Sequence, residues 1–66
     1  MASPANLNSA RKAFADITGA LEDAALLASE GQSVPEPVEA RRQCERLIVI
    51  VEACLDRLNH LRRRLE

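Results

Sequence analysis

The stretch that decides the fold of this chain is Leu47-Ile48-Val49-Ile50-Val51, five consecutive aliphatic residues. Successive residues of a helix are rotated by about 100°, so five in a row surround the helix completely. A buried strand is the alternative, because β-branched residues favour extended backbone. The flanking sequence favours the helix, because its apolar residues recur at alternating steps of four and three. This seam comprises Ala40, Cys44, Leu47, Val51, Cys54, Leu58, Leu61 and Leu65.

Three further apolar residues widen this seam. Ile48 and Leu55 lie on one side of it and Ile50 lies on the other, which extends the apolar arc to roughly 160°. An arc of this width is typical of a helix that touches two or three other helices. A single partner helix could therefore not cover the whole apolar arc of this segment.

A second seam precedes the first in the chain. Ser3 is expected to cap a helix that begins at Pro4, where the missing proline N–H has no cost. Apolar residues then recur at steps of three and four, which predicts one helix over about residues 4–30. The members of this seam are Leu7, Ala10, Phe14, Ile17, Leu21, Ala24 and Ala28.

The connection between the helices is expected over about residues 31–36. Gly31 is predicted to end the first helix in the left-handed conformation. Two prolines follow, and each one disfavours helical geometry in the residue before it. The short connection makes the two helices antiparallel neighbours.

The second helix is predicted over about residues 37–65, and its start has two possible forms. Ser33 and Glu36 have the spacing of a capping box, whereas Glu36-Pro37 fits an N-cap followed by the first helical residue. Either start gives the same overall fold. The sequence therefore predicts an all-α protein, a single antiparallel two-helix hairpin.

Composition and motifs argue against chemistry of the chain's own. The 66 residues carry a net charge of −1, and Phe14 is the single aromatic residue. Because no zinc-type spacing, catalytic constellation or phosphate-binding loop is apparent, we expect no enzyme, no metal and no cofactor. We also expect a cytoplasmic protein without membrane contact, since neither a signal-peptide pattern nor a run of about 20 apolar residues is present.

The wide apolar arc predicts self-association. A lone hairpin buries one stripe of each helix, so a second copy, giving a four-helix bundle, would cover the rest. An antiparallel pair is favoured because the arginine-rich open end of each copy would then lie near the acidic loop end of the other. The expected association core is Phe14, Ile17, Leu21, Leu47, Ile48, Val49, Ile50, Val51, Cys54, Leu55 and Leu58.

Cysteine and histidine residues have mainly structural interpretations. Cys44 and Cys54 lie about 15 Å apart along one helix, too far for an internal disulfide. We expect them to be free core residues, with an intersubunit bridge between them as the alternative. Asp56 and His60 share a helix face and are expected to form a solvated pair rather than half of a metal site.

Nucleic-acid binding is the alternative function. Arg57, Arg62, Arg63 and Arg64 concentrate positive charge at the end of the second helix, where they are candidates for phosphate contacts. The layout resembles the Rop family of plasmid-encoded RNA-binding hairpin dimers. That family binds RNA through an exposed aromatic residue on its first helix, whereas Phe14 here belongs to the apolar seam.

A second resemblance is to the small subunit of exonuclease VII, which is also a short helical hairpin. It implies a non-catalytic accessory subunit whose partner is a larger protein. Thr18 and Ala24 depart from that pattern at usual large-aliphatic positions, and Leu47 departs at a usual glycine. The residues that carry the resemblance are Phe14, Leu21-Glu22, Gly31, Glu39-Ala40, Cys44-Glu45-Arg46, Ile50, Cys54 and Leu58.

Overall fold

A computed structural model describes the backbone of residues 4–66 and the side chains of residues 7–66. Within that range the chain forms two helices, α1 (Pro4–Gly31) and α2 (Pro37–Leu65), and no strand. The helices contact each other along their length, and Asp16 of α1 lies level with Arg57 of α2. The predicted all-α class is thereby confirmed. Ser3, the expected cap of α1, lies outside the described residues.

The interface between the two helices takes one residue per heptad from each predicted seam. Ala10, Ile17 and Ala24 of α1 are buried, as are Cys54 and Leu61 of α2. Leu47 and Ile50 extend the α2 side of this interface as half-buried residues. Alanine side chains are small, so α2 can approach the α1 backbone closely at two of these levels. Each seven-residue spacing returns the chain to nearly the same side of its helix.

The end of α1 differs from the sequence prediction. Gly31 belongs to the helix, and no glycine among the described residues has a positive φ, so the predicted left-handed cap is wrong. Gln43 of α2 provides the physical reason, because its Nε2 donates a hydrogen bond of 2.9 Å to the carbonyl oxygen of Leu27. Backbone bonds from Gln32 N to Ser29 O and from Ser33 N to Glu30 O then close the last turn. The carbonyl oxygens of Leu27, Ser29 and Glu30 therefore have hydrogen-bond partners without a left-handed residue.

The start of α2 follows one of the two forms that the sequence allowed. Glu36 is the N-cap, with extended backbone at φ −134° and ψ 147°, and Pro37 is the first helical residue. The Glu36 carbonyl oxygen accepts the first helical hydrogen bond, from Ala40 N at 3.0 Å. No side chain caps this end. Ser33 instead donates to the carbonyl oxygen of Glu30, so it belongs to the end of α1.

Candidate interaction surface

The hairpin has an apolar face, here called the outer face, which neither helix covers. Its members are the second row of each predicted seam, at seven-residue spacing. Because the helices are antiparallel and Asp16 lies level with Arg57, these rows pair into four layers across the hairpin. The layers are Leu7 with Leu65, Phe14 with Leu58, Leu21 with Val51, and Ala28 with Cys44; Ile48 and Leu55 extend the α2 edge.

Shallow grooves run along the outer face. One lies between the helices near the open end and is lined by Phe14, Leu58 and Leu65. Another follows α2 towards the loop end, where Cys44, Ile48 and Val51 line it. Six large hydrophobic side chains of the layers and both edge residues keep substantial exposure. The face is therefore apolar over its whole length, which isolated surface hydrophobic residues would not explain.

The broad side of the hairpin is comparable in extent to a standard protein interface. The hairpin measures 50 × 16 × 10 Å between Cα atoms, so the rectangle that encloses its broad side has an area of about 800 Å², the product of the first two dimensions. Standard interfaces between proteins bury about 800 Å² on each partner. A partner that covered this side would need no further surface from the hairpin.

The opposite side, here called the polar face, carries the contacts between charged and polar side chains of the two helices. Arg57 Nη2 lies 3.2 Å from Asp16 Oδ2, and Arg64 donates to the Ser9 hydroxyl. Both pairs are exposed, and such pairs contribute about 0–1 kcal/mol each. These contacts stabilise the hairpin weakly, and they identify the side of it that is polar.

Val49 lies on the polar face. Its side chain is 68% exposed and lies beside Arg42, Glu45 and Arg46, away from the apolar layers. Val51, two residues later, is on the outer face. The five aliphatic residues at the centre of α2 therefore do surround the helix, but they do not all serve one surface.

The residues predicted for the association core fall into three groups in the structure, one of which is Val49 alone on the polar face. Ile17 and Cys54 are buried between α1 and α2 of the same chain, and Leu47 and Ile50 are half-buried there. These four residues hold the hairpin together. The residues that remain on the outer face are Phe14, Leu21, Ile48, Val51, Leu55 and Leu58.

The four arginines at the end of α2 do not form one patch. Consecutive residues of a helix point about 100° apart, so Arg62, Arg63 and Arg64 diverge. Arg62 borders the groove of the outer face, whereas Arg57 and Arg64 contact α1 on the polar face. The basic charge is thus distributed around the end of α2, and nucleic-acid contact by these arginines stays a prediction.

The cysteines and the histidine have distinct surroundings. Cys44 is exposed on the outer face and Cys54 is buried against α1, so the two thiols face different environments. His60 Nδ1 lies 2.9 Å from the carbonyl oxygen of Asp56 and 3.7 Å from its carboxylate. Both side chains are exposed, and no cluster of three metal-ligating side chains occurs among the described residues.

Gln43 is a contact residue that the sequence reasoning missed. It lies four residues before Leu47 on the side of α2 that faces α1, where its side chain contacts the last turn of α1. The available signal was its spacing from Leu47, Ile50 and Cys54. A seam defined by apolar residues alone does not include Gln43.

Comparison with protein-family models, with curated proteins and with solved structures gives no match for this chain. Within the described residues, neither helix combines the length and the apolar character needed to cross a membrane. Inferences about function therefore depend on the outer face and its surroundings.

Proposed function

We propose that this chain is a small protein–protein interaction module, without chemistry of its own, that self-associates through the outer face. Two hairpins packed outer face to outer face form a four-helix bundle. The observation that carries this proposal is the arrangement of eight seam residues in four level layers on one side of the hairpin, opposite a polar face.

A second copy fits this surface because the layers are only half complete. A layer of a four-helix bundle takes one residue from each of four helices, and each layer of the hairpin supplies two. A two-fold axis presents the same surface to itself, so an apolar face always meets an apolar face. Burying a large side chain completely contributes about 1.5–3 kcal/mol relative to full exposure. A second copy that covers the half-exposed residues would therefore contribute a large part of this free energy for each of them.

Two valines provide a matched test. Val51 lies on the outer face and is 50% exposed, whereas Val49 lies on the polar face. A buried carboxylate without a partner is costly, so Val51→Glu should reduce the mass in solution from two chains to one. Val49→Glu adds the same charge two residues away and should leave the two-chain mass unchanged.

The measurement is multi-angle light scattering at micromolar concentration, with circular dichroism to verify that both variants remain helical. A one-chain mass for the unsubstituted protein would overturn the proposal. Equal dissociation by the two variants would also overturn it, because the polar face has no role in the proposed bundle.

A further inference from the structure

The orientation of the second copy is not fixed by an apolar surface alone. Two hairpins can meet face to face with their loops at the same end, and α1 then lies against α2 of the other copy. With the loops at opposite ends, α1 lies against the other α1 and α2 against the other α2. Charged residues at the two edges of the outer face distinguish these arrangements, and the inference rests on the proposed self-association.

Each edge of the outer face carries both basic and acidic residues. Along α1, Arg11 and Glu22 flank the row of Phe14 and Leu21 at helical spacing. Along α2, Glu52 borders the groove that Ile48 and Val51 line, and Arg62 and the terminal Glu66 border the groove near Leu58. Given the level of Asp16 with Arg57, Arg11 lies level with Arg62, and Glu22 lies level with Glu52.

The arrangement with loops at the same end places like charges together. Arg11 of one copy would lie beside Arg62 of the second copy, and Glu22 beside Glu52 of the second copy. The two-fold axis doubles each of these contacts. Two helices pair less favourably when the edges that meet carry charges of the same sign. Charges at such edges set the orientation of the helices in helical assemblies.

The arrangement with loops at opposite ends removes these repulsions. Arg11 then lies within one helical turn of Glu22 of the second copy, so each α1 edge pairs opposite charges twice. Arg62 meets the apolar edge at Ile48 of the second copy, where its long aliphatic stem can pack. Glu52 lies near Asn59 of the second copy, which is uncharged.

Packing volumes favour the same arrangement. With loops at the same end every layer stacks on itself, so Phe14 and Leu58 are doubled in one layer while Ala28 and Cys44 are doubled in another. The first of these layers would be crowded and the second would leave a void. With loops at opposite ends the Phe14 layer meets the Leu21 layer, and the Leu7 layer meets the Ala28 layer. Large layers then face smaller ones, which suits the uniform density of protein interiors.

We propose that the second copy lies with its loop at the opposite end, so that the two-fold axis passes midway between the Phe14 and Leu21 layers. Each residue at the middle of an edge then meets its own counterpart. Thr18 of α1 faces Thr18 of the second copy, and Leu55 of α2 faces Leu55 of the second copy. The Thr18 hydroxyl already donates to the carbonyl oxygen of Phe14 at 2.9 Å, so it needs no new partner when it is covered.

Cysteine cross-linking tests this geometry. Cys44 and Cys54 are first replaced by alanine, and Leu55→Cys and Thr18→Cys are introduced into separate chains. The two chains are mixed, equilibrated and treated with a short bismaleimide, and the products are identified by mass. We expect homodimeric products, joining residue 55 to 55 and residue 18 to 18. A heterodimeric product joining residue 18 to residue 55 would overturn the orientation, as would the lack of both homodimers in a sample that light scattering shows to be dimeric.

Reversing the charge of Glu22 tests the orientation independently, because the dimer Kd should rise in one orientation and fall in the other. Glu22→Arg would place two arginines together when loops lie at opposite ends, and should raise the dimer Kd about three-fold. With loops at the same end, the same change would pair the introduced guanidinium with Glu52 of the second copy and lower the Kd. Asp23→Arg changes the net charge equally but lies towards the polar face, and should leave the Kd within error. A lower Kd for Glu22→Arg would overturn the orientation, whereas a one-chain mass for every variant and for the unsubstituted chain would overturn self-association itself.

Discussion

Phe14→Ala should weaken self-association far more than it affects the hairpin. Half of the Phe14 side chain is exposed in the single hairpin, and the second copy would cover that half. Since complete burial of such a side chain contributes about 1.5–3 kcal/mol, covering the remaining half contributes about 1 kcal/mol. The dimer contains the residue twice, so the loss is about 2 kcal/mol and the dimer Kd should rise about 30-fold.

Leu26→Ala is the matched control for this experiment. Leu26 is 61% exposed, but it lies on the side of α1 away from α2 and outside the four layers. Its truncation removes similar apolar area from the chain without removing any from the proposed interface, so the Kd should not change. Sedimentation equilibrium across nanomolar to micromolar concentrations measures both values. A change below three-fold for Phe14→Ala, or an equal change for Leu26→Ala, would refute the reasoning.

Three further predictions concern the hairpin and its thiols. Gln43→Ala should lower the free energy of unfolding by about 1 kcal/mol in urea titration, because the carbonyl oxygen of Leu27 loses its partly buried hydrogen bond. Gly19→Ala should raise the same free energy by up to about 1 kcal/mol, because an added Cβ meets no atom within 4 Å and alanine favours the helix; a lower melting temperature would contradict this. Cys44 should react with a thiol reagent faster than the buried Cys54, and dilution below the dimer Kd should accelerate Cys44 alone; a rate independent of protein concentration would contradict self-association.

The sequence predicted the helices because their period is a local property. Steps of three and four distinguish a helix from a strand without any knowledge of the partner, and the proline-containing break at residues 31–36 separates two such segments. The apolar layers of the outer face were also present in the pattern, as members of the two seams. A periodic pattern does not determine how each helix is rotated about its own axis, because every member of a wide seam is equally apolar.

The tertiary structure decided how that apolar surface is divided. Ile17 and Cys54 turn inward because α2 packs closely against the alanines of α1, and that rotation leaves Phe14 and Val51 outside. The form of the α1 terminus also depends on a distant side chain, Gln43, which no local rule connects to it. Amino-acid order therefore determined which residues are apolar and at what period, whereas the rotation of each packed helix about its own axis determined which of them face each other and which form the outer face.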